Sequence, residues 1–368
     1  MSADLPHGRY HGRLYRHLDE VEAIWRDLEA TGSLTAFQLL SWVRGICEAL
    51  IDPTTEAPVF VTVTERGSGR TVMLLPMLRV QHRTYSELTW IDFDVSDYSG
   101  PILAAGVDLD ANAAREAWAC VRAVLPAVDL IRISRIPGRV AGASNPLLAA
   151  PSCRLMGMQA FSAGIAGDAA TLVERLARPS AVTELRRRRR KLDQRGEVAF
   201  VVASTPDEVD RIVDALVEQR RERFQSVGRP NLLERGKVAD FYRTAAHRGL
   251  SGGPVRLMGL SVDGTWIAAV YGLVHANAFH MVIPTMREGE WKSYAPGLQS
   301  IAAAMEWSRV QGLDTFDFTI GHIRFKTDFG GIASDLYEIH EARTLRGHMV
   351  MRGTQAAEAG KAWIKRRP

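Results

Sequence analysis

Hydrophobic and polar positions along this chain recur with two periods, and the switches between them lay out its elements. Leu298, Ile301, Ala302 and Met305 fall at the i, i+3, i+4, i+7 spacing of one buried helix face, and Gly312 ends that helix. Thr315–Ile320 then alternates, with Phe316, Phe318 and Ile320 on one face and Thr315, Asp317 and Thr319 on the other. Before this stretch, the spacing predicts helices over 18–29 and 36–50, the second capped by Thr35. Strands are expected at 58–65, 71–81 and 87–92, then the turn Ser96–Pro101, a helix near 111–125 and a strand at 129–134. A single long helix is expected over 169–195, then a strand at 198–203. Thr205 and Pro206 open a helix that runs to about 225, and another follows at 235–248. Strands at 254–262 and 265–274, joined by Asp263-Gly264, lead to a third at 278–284, and a last strand at 335–341 precedes a terminal helix. Both halves therefore read helix, helix, three strands, turn, helix, strand. This is an α/β chain of two similar units, with a boundary expected between residues 165 and 166.

Composition narrows the class. The chain has 368 residues, long for one domain, and its 46% apolar and 24% charged content is ordinary for a globular protein. Cys47, Cys120 and Cys153 are widely separated and odd in number, which argues against a disulfide framework or a zinc site and suits a reducing compartment. The start of the chain lacks an apolar leader, and no apolar run is long enough to span a membrane, so a cytoplasmic protein is expected. The formal charge of +4 is unevenly spread, with a cationic run at Arg186–Lys191 and a basic tail at Lys361–Pro368. The run wraps a whole helix circumference without aromatic platforms nearby, which argues for a solvated, ion-paired helix over a nucleic-acid surface.

FDFTIGHIRFKTDFG (Phe316–Gly330) and DFDVSDYSGPILA (Asp92–Ala104), with the looser RRERF (Arg220–Phe224) and FYR (Phe241–Arg243), resemble recurring stretches of one group of proteins. That group is the branch of the GNAT-type acyltransferases that includes the CelD-like, cellulose-biosynthesis acetyltransferases and the peptidoglycan FemAB/FemX-like transferases. The resemblance implies tandem GNAT-like domains, each a mixed, mostly antiparallel central sheet flanked by helices. It also implies an acyl-CoA-binding, catalytic second unit (166–368), a first unit (1–165) on the acceptor side, and a link with exopolysaccharide production.

Acyl transfer from a thioester needs a held carrier, a polarised carbonyl and a neutral attacking amine. The helix start at Tyr294, Gly297, Leu298, Gln299 and Ser300 offers amides and a dipole suited to the carrier's diphosphate. In place of the several glycines usual in the family there is Gly297 alone, behind Pro296. Pro284, lacking an N–H, opens a gap beside Ile283, either to admit the acyl chain or merely to end an edge strand. Asp317, on a strand covered on both faces, must be paired; it and Lys326 are the expected catalytic residues, the lysine by its match to FemX-like enzymes, against a purely structural pair. Asp97, Tyr98 and Arg324 are expected at the acceptor, and His322, where many relatives carry an acid, reads as a surface substitution. The expected function is N-acyl transfer, most simply acetyl transfer from acetyl-CoA or another acyl-CoA, to an amine of a small-molecule or carbohydrate precursor. It proceeds by direct attack and without a metal. The alternatives are a FemX-like transferase dependent on aminoacyl-tRNA and a non-catalytic binding protein that kept the fold.

Overall fold

A computed structural model describes residues 2–3 and 8–354; the basic tail lies outside the described residues. In the first half, β1 (Tyr10–Tyr15) is followed by α1 (Glu22–Thr31) and α2 (Leu40–Ala49), then β2 (Glu56–Glu65), β3 (Thr71–Gln81) and β4 (Ser86–Trp90). Helix α3 (Ala111–Val124) and strands β5 (Leu130–Pro137) and β6 (Cys153–Gly164) complete it. After α4 (Leu172–Leu176) and α5 (Pro179–Asp193), the second half repeats the order. It runs β7 (Val198–Val202), α6 (Pro206–Ser226), α7 (Val238–Leu250), β8 (Val255–Val262), β9 (Thr265–His275) and β10 (Ala278–Met286). Helix α8 (Pro296–Val310), strand β11 (Thr315–Ile320), helix α9 (Arg324–Asp328) and strand β12 (Ile332–Ala342) close it.

These strands form one sheet in the order β1-β2-β3-β4-β5-β12-β6-β11-β10-β9-β8-β7. Read from either edge, each strand of one half occupies the place of its counterpart in the other. The last strands cross over: β6 lies between β12 and β11, and β12 pairs with β5. Neither half closes its own sheet. Most pairs are antiparallel; the parallel ones are β4 with β5 and β10 with β11. The second of these pairs from Ala278↔Thr315 only to His280↔Asp317, after which the strands diverge. A parallel pair that splays opens a gap at strand ends, where the backbone has no neighbour to bond.

Two predicted helices differ in the structure. The expected single helix over 169–195 is broken at Ala177 and Arg178, because Pro179 takes the first position of α5 and forces Arg178 out of the helical region, at ψ 140°. The expected helix over 36–50 begins instead as a 3₁₀ turn, Ala36–Gln38, capped by Thr35, and restarts at Leu40. That restart lets Trp42 turn toward the other half, where its ring packs 4.8 Å from Phe241, while its Nε1 donates to Ser96 Oγ of its own half at 3.1 Å. A buried seam of aromatic residues thus joins the halves.

Candidate active site

Where β10 and β11 part, a group of polar side chains is packed between the halves. Asp317 of β11 accepts hydrogen bonds from Tyr98 Oη at 2.9 Å and from the Thr319 amide at 2.7 Å, and pairs with His280 Nδ1 at 2.9 Å. Tyr98 comes from the first-half turn, which Gln38 anchors by donating to the Tyr98 carbonyl at 2.9 Å. Phe37 packs edge-on against both Tyr98 and His280. The carboxylate is buried yet fully engaged, so its charge is tolerated.

The backbone bends to allow this. Between Phe161 and Ser162 the β6–β11 register shifts so that Phe318 is an extra residue, and Thr319 takes φ 57°. A left-handed β-branched residue is strained by roughly 1–3 kcal/mol. Its hydroxyl donates to the Met281 carbonyl across the start of the splay, at 3.0 Å, which holds the distortion in place.

Lys326 folds back from α9 beneath the strand end, 3% exposed, and its Nζ donates to the carbonyls of Thr319 (3.1 Å) and Ile320 (2.6 Å). Desolvation brings its amine down to about 8, although Asp97 and Asp317 pull the other way. Asp97 is half-buried. Burial pushes its carboxyl up to about 6, against the lowering effects of the Thr319 hydroxyl and Arg135, and the charge of Asp317 adds to the rise. The site therefore holds two neighbouring carboxyl groups in different environments, with an ammonium beside them.

Alongside lies a cleft of about 530 Å³. Pro284 and Met286 of β10 form one wall, Ile323 and Phe325 another, and Ala295, Gly297, Leu298 and Ile301 at the start of α8 a third. Ala295 is left-handed (φ 49°), and no side chain caps the helix. The Leu298 and Gln299 amides both turn back to the Ala295 carbonyl, so the Gly297 amide alone in this turn is left without an acceptor among the described hydrogen bonds. The fourth wall is α6, with Arg220, Arg223 and Phe224. Arg223 and Lys292 pair with Glu288, and Arg188 pairs with Glu184. Arg220 has no acidic partner among the described residues; its guanidinium stacks 4.8 Å from the Phe224 ring, its Nε lacks an acceptor, and burial lowers its pKa. A desolvated, unpaired arginine facing a cleft is suited to an anion.

The structure thus brings Asp97, Tyr98, Asp317 and Lys326 together, and Gly297 and Leu298 line the cleft. Other expected site residues stand elsewhere. Gln299 turns to the opposite face of α8, and Ser300 is buried with its hydroxyl bonded to the Gly297 carbonyl. Ile283 is core, Tyr294 packs against Trp291, and Arg324 is exposed and pairs with Asp328. His322 is exposed, its ring 5.5 Å from Phe161. In sequence Arg220 stands out only as part of the RRERF stretch; the signal for its place at the cleft is the stacking partner Phe224, four residues on. Among the described residues, no cluster of His, Cys, Asp and Glu could hold a metal ion, and no helix is long and apolar enough to cross a membrane.

Residues 179–327 match the family model of the acetyltransferase (GNAT) domain. Among solved structures, FemX aligns over 89% of this chain and 96% of its own, with a TM-score of 0.60 at 10% identity. A conserved protein of unknown function from Bacteroides thetaiotaomicron aligns over 89% and 98%, with a TM-score of 0.54 at 9% identity. L-PGS from Bacillus licheniformis aligns over 94% and 97%, with a TM-score of 0.50 at 11% identity. A comparison with curated protein sequences finds no match.

Proposed function

We propose that this protein is a cytoplasmic N-acyltransferase: residues 179–327 match the GNAT acetyltransferase domain model, and the chain is similar in fold to FemX over most of its length. It moves an acyl group from acyl-CoA, acetyl-CoA in the simplest case, to an amine of a small-molecule or carbohydrate precursor by direct attack. The observation that carries this reading is the cleft at the β10–β11 splay, which joins an uncapped helix start to an unpaired arginine beside the half-buried Asp97 and the buried Asp317. The cleft's residues suit such a carrier: the Gly297 amide and the cationic residues at its mouth for phosphate, and Met286, Leu298 and Phe325 for the pantetheine and acyl chain.

The bound thioester supplies an activated carbonyl; the chain does the rest. Asp97, half-buried and with its carboxyl pushed up to about 6 by burial, removes the proton of the attacking amine. Asp317, fixed by its donors, orients Tyr98 and sets the field around Asp97. The Lys326 ammonium keeps the left-handed end of β11 in place and balances the two carboxylates. Direct attack follows from the lack of a poised nucleophile: burial pushes the Cys47 thiol up to about 12 and raises those of Cys120 and Cys153.

The first half serves as the acceptor side. Its own splay is bridged by the Arg135–Asp92 ion pair at 2.8 Å, and the start of α3 is filled by the Asp110 carboxylate, which accepts from the Asn112 and Ala113 amides. The Asn112 and Ala113 amides are thus occupied, and the Asp110 carboxylate stands where a phosphate would have to sit.

The likeness to FemX favours a second reading, aminoacyl transfer from tRNA. Against it, Arg186, Arg187, Arg188 and Arg189 are each paired with an acid, which leaves few charges for a phosphate backbone. The deciding experiment compares the two carriers. Acetyl-CoA should raise the melting temperature by mass action. No shift with acetyl-CoA, together with salt-sensitive retention of tRNA that is abolished by neutralising Arg186–Arg190, would replace the first reading with the second.

A further inference from the structure

Helix α8 presents two faces. One lines the cleft; the other, carrying Gln299, Ala302, Ala303 and Glu306, forms with α5 a separate groove of about 390 Å³. The i, i+3, i+4, i+7 spacing of these four residues places them on one stripe. We propose that this groove binds a small amphoteric molecule of amino-acid to dipeptide size, its N–H or ammonium held by Gln299 and Glu306 and its carboxylate by Arg190.

The groove's own chemistry leads there. Gln299 is 7% exposed and its Oε1 has no hydrogen-bond donor, while its Nε2 donates to the Tyr294 carbonyl at 2.8 Å. An orphan buried acceptor destabilises the fold, and an incoming donor offsets that cost. Two turns along the stripe, Glu306 is half-buried without a hydrogen bond or ion pair among the described residues; burial pushes its carboxyl up and the nearby charge of Arg189 pulls it down. Both groups call for donors. On the opposite wall Arg186 is held by Glu174 and Arg189 by Asp193, whereas Arg190 has no acidic partner among the described residues. Between the walls, Val173, Val182 and Ala302 give an apolar floor with room above the alanine. Donors inside, an anion at the rim and a short apolar body describe an amino acid or dipeptide better than a nucleotide, whose phosphates would meet Glu306 and Glu174.

The Gln299 oxygen is shut off from solvent, so a ligand engages it by turning the carboxamide outward, at the expense of the bond to Tyr294. That residue directly precedes the left-handed Ala295 at the mouth of the cleft. The groove's occupant and the cleft's should therefore weaken each other's binding by the same factor. This coupling rests on the carrier reading; occupancy of the groove does not.

Calorimetric titration of the protein with a panel of L-amino acids and dipeptides, including L-alanyl-L-leucine, its C-terminal amide and its N-acetyl form, tests the assignment. The zwitterion should bind, and each blocked form should bind at least roughly tenfold more weakly, the loss of one charge-assisted hydrogen bond. Arg190→Gln, an exposed change that leaves folding intact, should cost the free dipeptide the same factor and its amide nothing. Ala302→Trp should fill the groove and abolish binding. Absence of binding across the panel overturns the assignment, as does binding indifferent to both substitutions. If the dipeptide binds but acetyl-CoA does not, the groove stands and the carrier reading falls.

Discussion

Replacing Lys326 with methionine separates chemistry from architecture. Methionine keeps the apolar stem and removes the ammonium. Two effects on stability then oppose each other. The amine sits at about 8 where an exposed lysine has 10.5, so its charged form at pH 7 costs the fold about 3 kcal/mol at 1.36 kcal/mol per pH unit. The substitution removes that cost, and with it two hydrogen bonds to the Thr319 and Ile320 carbonyls, together also about 3 kcal/mol. The variant should therefore unfold in urea within about 1 kcal/mol of the parent. Thiol release from acetyl-CoA with amine acceptors should nonetheless fall roughly a hundredfold or more, because the ammonium that balances Asp97 and Asp317 is gone. The sign of the pH dependence gives a second check. The folded amine releases its proton before the unfolded one, so between about pH 8 and 10.5 the unfolded chain binds more protons and the parent gains stability as pH rises. Lys326→Met should lack that gain. If stability and turnover fall together, Lys326 is a structural residue; if turnover survives, the placement of the chemistry at this strand end is mistaken.

Other substitutions probe the neighbouring contacts. Asp97→Asn should abolish the acid limb near pH 6 in the rate profile. It should also stabilise the protein at pH 7 by about 3 kcal/mol at 1.36 kcal/mol per pH unit, since the folded carboxyl, raised to about 6, makes the parent lose stability as pH climbs from about 4 to 6; an unchanged acid limb would exclude Asp97 as the base. Gly297→Val places side-chain atoms against Met286, whose Sδ lies only 3.3 Å from where a Cβ at residue 297 would stand; acetyl-CoA affinity by calorimetry should drop at least roughly tenfold. Asp110→Ala should lower the urea midpoint through loss of the α3 cap and leave acetyl-CoA affinity untouched, whereas a changed affinity would locate a carrier in the first half. Trp42→Ala, emptying a site 2% exposed at the seam, should cost about 3–5 kcal/mol by thermal or urea unfolding.

What the sequence made legible and what it concealed follow from the range of the interactions involved. The two-fold element order and the alternation of Phe316, Asp317 and Phe318 are local, and period alone exposes them. The need to pair a buried Asp317 was also legible, because burial of a charge carries its own demand. Its actual partners were not: Tyr98 donates from 219 residues away, and no spacing rule reaches that far. The same holds for the crossed strands, since β6 and β12 each read as an ordinary closing strand until both halves are present. Gln299 and Gly297 show a subtler limit. They stand two residues apart on one helix start, yet α8 carries them to opposite faces, so reading that start as one continuous site merged a cleft with a groove. The duplication explains why the polar site lies where it does. Each half contributes a turn after a splayed strand; the first half closes its own splay with Arg135 and Asp92, which frees Asp97 and Tyr98 to project into the other. A duplicated fold that seals one gap and uses the sealed half's turn to furnish the second gap gains a further polar wall without any added element. On this argument the site depends on the joint between halves as much as on either half, and loosening the Trp42 seam should disturb turnover before it unfolds the chain.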